Sequence, residues 1–277
     1  MKRILPIAVV LTLCAGLASA QLNVWRWQNP LPVGNYLRAV QMVSLNTIYV
    51  CGDNGNFMRS TDGGASWDVQ NNVLKIDTKL NSLSFLDQNY GMICGDAGRL
   101  IKTTDGGKSW QNIVTDAKYN FNGILVLDKN IAIVISNVGS VLRTNDGGKN
   151  WISVPLEETR ELFSIKKHST DFLTITGYAG TLRRSTDMGL TWPAIETKIG
   201  NSFYSANFSD SLTGTIVGEN AVMRHTSDGG VTWSDQQLAD KSIITANLNV
   251  IDGKDPNIMA IVGNHGTLLY TTDGGTR

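Results

Sequence analysis

The feature that most constrains this chain is a short segment that recurs six times along it. The copies read STDGGASW (Ser60–Trp67), TTDGGKSW (Thr103–Trp110), TNDGGKNW (Thr144–Trp151), STDMGLTW (Ser185–Trp192) and TSDGGVTW (Thr226–Trp233), with a sixth, TTDGGTR, at Thr271–Arg277. Their aspartates, Asp62, Asp105, Asp146, Asp187, Asp228 and Asp273, fall 43, 41, 41, 41 and 45 residues apart. A fixed period of this length means that one structural unit is repeated and stacked, each unit burying its apolar face on its neighbours.

The chemistry of the segment is that of a turn. A Ser or Thr hydroxyl and the Asp carboxylate accept hydrogen bonds from backbone N–H groups in a tight turn, and the glycines permit positive φ. Trp67, Trp110, Trp151, Trp192 and Trp233 are large apolar anchors that open the next strand. These residues are expected to be structural rather than metal ligands or acids. In the second copy, Leu80-Asn81-Ser82-Leu83-Ser84-Phe85 alternates apolar and polar, and Gly91-Met92-Ile93-Cys94 and Gly98-Arg99-Leu100-Ile101-Lys102 follow before the Trp110 stretch. Four short strands per repeat, with no sustained helical period, predict an all-β chain: a β-propeller of four-stranded blades. Eleven residues before each box aspartate stand Cys51, Cys94, Ile135, Thr176, Val217 and Val262. The two cysteines thus share one column in adjacent blades, and are expected to be buried and unpaired.

The start of the chain has the marks of an export signal: Lys2 and Arg3, an apolar run from Ile4 to Leu13, and Ala18-Ser19-Ala20 as a cleavage site before Gln21. This predicts a signal peptide over residues 1–20 and a propeller domain over 21–277, in the periplasm, a lumen or outside the cell. The apolar run is too short for a transmembrane helix. Leu13 is too large for a lipobox ahead of Cys14. Residues 21–277 carry 22 basic and 24 acidic side chains, a balance that gives no argument for nucleic acid or anionic lipid as a partner. Val24-Trp25-Arg26-Trp27-Gln28 resembles the strand that follows a box. Two architectures therefore fit: six blades closed by this strand as the outer strand of the last blade, or part of a propeller of seven or more blades.

The repeat S/T-x-D-x-G-x-x-W is the bacterial neuraminidase, or Asp-box, repeat. Here glycine turns precede the strand that ends in the box: Cys51-Gly52-Asp53-Asn54-Gly55, Cys94-Gly95-Asp96-Ala97-Gly98, Thr176-Gly177-Tyr178-Ala179-Gly180 and Val262-Gly263-Asn264-His265-Gly266. With these turns the chain resembles the photosystem II stability and assembly factor family over nearly all of residues 21–277. That resemblance implies a protein facing a lumen or periplasm that holds partner proteins, such as membrane-complex subunits, during assembly and has no catalytic activity. The family typically has seven blades, against six copies here. Asp boxes also occur in sialidases, xyloglucan-cleaving hydrolases and sortilin-like receptors, so a glycoside hydrolase or carbohydrate-binding propeller is the alternative. A sialidase needs an arginine triad, a tyrosine–glutamate pair and an acid, and no such set stands out. A glycosidase of either stereochemistry needs two facing carboxylates, for which loop residues such as Asp87 and Asp128 are candidates.

The candidate binding residues form a column three positions before each box aspartate: Arg59, Lys102, Arg143, Arg184 and His225, with Tyr270 in the sixth copy. Two residues earlier stand Phe57, Leu100, Val141, Leu182, Met223 and Leu268, all apolar. Residues two apart share a strand face, so the cations should extend from the core toward the end of each third strand. They could form an electropositive surface for acidic segments of a partner, or cap their own turns and pair with nearby carboxylates. His168, His225 and His265 lack metal-ligand spacing. No catalytic residue, metal or cofactor is implied, and the protein is expected to be a monomer.

Overall fold

The computed structural model describes residues 34–275, apart from 76–77, 157–159, 170, 237–245, 254 and 256. The expected signal peptide over residues 1–20 and Val24–Gln28 lie outside the described residues.

Short turns between short alternating strands leave the chain little choice but to meander, and each repeat folds as an antiparallel sheet with strands in sequence order. Blade 1 is β1 (Leu37–Met42), β2 (Ile48–Gly52), β3 (Phe57–Ser60) and β4 (Asp68–Gln70). Blade 2 is β5 (Leu80–Phe85), β6 (Gly91–Gly95), β7 (Leu100–Thr103) and β8 (Gln111–Ile113). Blade 3 is β9 (Phe121–Val126), β10 (Ala132–Ser136), β11 (Val141–Thr144) and β12 (Ile152–Val154). Blade 4 is β13 (Leu162–Ser169), β14 (Phe172–Gly177) and β15 (Leu182–Ser185). Blade 5 is β16 (Phe203–Phe208), β17 (Gly214–Gly218), β18 (Met223–Thr226) and β19 (Ser234–Asp235), and blade 6 is β20 (Leu248–Asp252), β21 (Met259–Gly263) and β22 (Leu268–Thr271). The helical residues among those described are three-residue 3-10 turns.

The expected propeller is therefore present. Blades 1, 2, 3 and 5 have four strands, whereas blades 4 and 6 have three described strands each. In blade 4 the residues after the box meet β15 through a single bridge, Arg183 to Ala194. Pro193 stands where the outer strand would begin, and without an N–H it cannot sustain a ladder.

The first strands of successive blades lie side by side, β1 on β5, β5 on β9, β9 on β13, β13 on β16 and β16 on β20, and make the inner ring. The apolar core lies in the seams. Between blades 1 and 2, Tyr49 stacks on Phe85 with ring centroids 3.8 Å apart, and Trp110 meets Phe57 edge-on at 4.9 Å. Each inner strand pairs along one edge only, and from β5 onward the preceding blade supplies side chains to the other. Gln41 Nε2 donates to Phe85 O at 3.0 Å while its Oε1 accepts the Phe85 N–H at 2.7 Å. Ser84 accepts the Val126 N–H at 2.9 Å, and Asn207 donates to Gly253 O at 3.0 Å. These bonds satisfy backbone groups that the seam would otherwise bury unpaired.

Cys51 and Cys94 are free and buried, as their column predicts. Burial is the main reason that both thiols are pushed up from the ordinary range. No helix among the described residues is long and apolar enough to cross a membrane.

Candidate functional site

Every third strand runs from a glycine turn to a box turn, so the blades have two chemically distinct ends. At the box end, Ser60 Oγ accepts the Gly64 N–H and donates to Asp62 Oδ1, both at 2.8 Å, and Asp62 Oδ1 accepts the Ser66 N–H at 2.8 Å. Gly63 and Gly64 hold φ of 73° and 91°, which a side chain would strain. The hydroxyl-to-carboxylate bond recurs at 2.8 Å in Thr103–Asp105, Thr144–Asp146, Ser185–Asp187, Thr226–Asp228 and Thr271–Asp273. Donors four residues on (Ser66, Ser109, Asn150 and Thr232) hold the Asp62, Asp105, Asp146 and Asp228 carboxyls down to about 2. Carboxylates so engaged make poor proton donors near neutrality.

The basic column sits against these turns, one blade on. Arg59 Nη1 donates to Gly106 O at 3.1 Å, Lys102 Nζ to Gly147 O at 2.9 Å and Arg143 Nε to Met188 O at 3.0 Å. Each acceptor is the residue after the box aspartate of the following blade. Arg184 Nη1 reaches Ser211 O at 3.3 Å, and its guanidinium lies 4.4 Å from the centre of the Phe172 ring. His225 departs from the pattern, its Nδ1 lying 3.2 Å from Thr215 Oγ1 of its own blade. Arg59 also meets Asp68 Oδ2 at 3.3 Å and keeps 18% of its side chain exposed. The sequence predicts cations along one end of the third strands, and the structure puts them there. It also gives four of them an inter-blade bridging role that neither sequence reading named, while the Arg59–Asp68 contact is a carboxylate pairing of the kind the second reading expected.

The loop aspartates have a role that sequence reasoning missed. Asp87 Oδ1 accepts the Asn89 and Tyr90 N–H groups at 2.7 and 2.8 Å, and Asp128 Oδ1 accepts those of Asn130 and Ile131 at 2.6 and 2.8 Å. Asp210 does the same for Leu212 and Thr213, both at 2.6 Å. They are repeat-equivalent turn formers between the first and second strands of their blades. A signal was available, since all three stand at the same offset from a box.

The inner ring holds two more groups that sequence reasoning passed over. Lys166 Nζ donates to Ile251 O at 2.6 Å and lies 3.6 Å from Asp252 Oδ1, linking blade 4 to blade 6 across blade 5. His168 Nδ1 accepts the Phe208 N–H at 3.2 Å and its Nε2 lies 2.8 Å from Thr174 Oγ1. Burial, with Lys166 as the lesser cause, lowers the His168 imidazole to about 4. At the glycine-turn end of blade 4, Arg160, Arg183, Glu196 and Lys198 line a polar cleft of about 310 Å³.

Several solved structures share the fold. A structure described as YCF48 bound to D1 peptide is 23% identical, with 87% of this chain and 95% of that one covered and a TM-score of 0.51. YCF48 from Cyanidioschyzon merolae is 19% identical over 87% of this chain and 97% of its own, also at 0.51. The GH74 enzyme of Niastella koreensis is 14% identical with a TM-score of 0.73, over 87% of this chain and 45% of its own. At such identities these likenesses concern the fold alone. No curated protein matches the sequence. The sequence does match the family described as photosynthesis system II assembly factor YCF48, over residues 17–189 and 184–277, and the chain belongs to that family.

Proposed function

We propose that this chain is an exported, monomeric, non-catalytic propeller that binds a partner polypeptide of a membrane complex during its assembly. Membership of the assembly factor family over the whole repeat region is the observation that carries this reading. The related YCF48 structure that holds a D1 peptide suggests the probe, a D1 peptide. The contact surface proposed is the box end of the blades at Arg59, Lys102, Arg143, Arg184 and His225, where the four cations offer charged donors to carboxylates of a partner segment. A glycosidase reading is disfavoured by the engagement of Asp87, Asp128 and the box aspartates in their own turns.

The test is calorimetric titration of the protein with a D1 peptide, at low and raised salt. Saturable binding should weaken with salt and fall roughly tenfold in Lys102→Glu, while Lys102→Arg, which keeps the charge, binds like the parent. No binding by the parent protein, or binding indifferent to salt and to Lys102→Glu at an unchanged melting temperature, would refute the proposed surface.

A further inference from the structure

The glycine-turn end of the inner ring carries a feature that the box-end reading does not use. The second residue of the six inner strands is Arg38, Asn81, Asn122, Phe163, Tyr204 and Asn249. In blades 1, 2 and 6 this residue bonds to the glycine turn of its own blade: Arg38 to Asp53, and at 2.8 Å each Asn81 to Asp96 and Asn249 to Asn264. Only blades 4 and 5 place aromatic rings there. Phe163 and Tyr204 lie with ring centroids 5.2 Å apart, tilted by 56°, and both are half-buried.

Two carboxylates flank the pair, and both are held in place. Asn122 Nδ2 donates to Glu161 Oε1 at 3.0 Å, and the Ser202 N–H donates to Glu219 Oε2 at 3.1 Å. Asn247 Nδ2 reaches the Tyr204 hydroxyl at 3.4 Å. Arg160, the neighbouring cation in sequence, directs Nη1 to Ala179 O at 3.3 Å.

We infer that this aromatic pair, with Glu161 and Glu219, is a binding site for a cationic side chain, an arginine or lysine presented by an extended polypeptide. Aromatic faces carry negative quadrupole potential, and a cation over them gains most where carboxylates add to the same field. The Tyr204 phenol is raised first by burial and then by Glu219 and Glu161, which places both carboxylates within electrostatic reach of the ring. A neutral sugar can also stack on aromatic rings, but gains nothing from that field. The site takes a cation where the surface proposed above takes carboxylates, and it lies at the other end of the strands, so it stands or falls independently of that surface.

Saturation-transfer NMR on the intact protein, with three probes, tests this. The probes are acetyl-Gly-Ser-Arg-Gly-Ser amide, its glutamate counterpart and cellotetraose. Transfer to the arginine peptide alone is expected, reduced about fivefold or more in the Glu161→Gln/Glu219→Gln double variant and in Tyr204→Leu. Should Tyr204→Leu not fold, the double variant at an unchanged melting temperature decides. D1-peptide binding at the box end should be unaffected by either change. Equal transfer to the glutamate peptide, transfer to cellotetraose instead of the arginine peptide, or an arginine signal indifferent to the double variant would overturn the inference.

Discussion

Blades 2 to 5 and the two terminal blades follow the same sequence rules and differ in what covers them. The residue five before the box aspartate is fully buried in Leu100 and Val141, whereas its counterpart Leu268 in blade 6 is 64% exposed. At the other end of the series, Leu80 and Phe85 of β5 are 0% and 4% exposed, against 51% and 60% for the equivalent Leu37 and Met42 of β1. The turn chemistry does not change with this loss of cover. Thr271 Oγ1 still bonds Asp273 at 2.8 Å and still accepts the Gly275 N–H at 2.9 Å. The box is thus a local device that forms from its own few residues, while the core is a property of two blades together.

Core truncations should separate the two regions most. Leu100→Ala should cost roughly 2–5 kcal/mol in denaturant unfolding, and Leu268→Ala well under 1 kcal/mol. Equal costs would mean that the exposed face of blade 6 is covered in solution. A glycine pair sharpens the point. A Cβ on Gly98, at φ 71°, would come 2.1 Å from Ala117 O, whereas one on Gly266, at φ 73°, meets nothing within 4 Å. Gly266→Ala should cost only the left-handed strain of roughly 1–2 kcal/mol, and Gly98→Ala clearly more. Smaller and equal effects are expected at the turns themselves, with Thr103→Ala and Thr271→Ala each costing about 1 kcal/mol. A silent Thr271→Ala beside a costly Thr103→Ala would show that the box, too, depends on a neighbouring blade.

Acid should expose the weakest distinction, between the seams and the turns. His168, lowered to about 4, contributes stability that is complete above the unfolded value of about 6.5 and is lost as pH falls toward 4. The four box carboxylates near 2 contribute stability present above about pH 4 and lost as pH falls toward 2. Melting temperatures should therefore decline in two stages, and His168→Gln should shrink the first, to which the lowered His225 also contributes, while leaving the second.

Much of the fold was legible because the box repeats at a fixed interval and its turn chemistry is local. The apolar column of Phe57, Leu100, Val141 and Leu182, and the free Cys51 and Cys94, followed from that interval alone. What escaped were the partners one repeat away. Arg59, Lys102 and Arg143 bond to backbone carbonyls of the next blade, and a carbonyl leaves no mark in sequence. Gln41 and Ser84 bond to backbone groups in the same way. Asp87 and Asp128 looked available for catalysis because a turn-forming aspartate and an acid share one letter. The incomplete outer strand of blade 4 was readable in Pro193, and regularity elsewhere masked it. The Phe163–Tyr204 pair was hidden for a different reason: its rings come from strands 41 positions apart, and meet only because the blades stack.

The function proposed for this propeller is to bind a polypeptide without doing chemistry. One sample tests it directly: the intact protein incubated with xyloglucan and a D1 peptide, with released oligosaccharide and bound peptide measured together. The account predicts saturable, salt-sensitive peptide binding and no oligosaccharide above the protein-free control. Steady release of oligosaccharide with no bound peptide would contradict it.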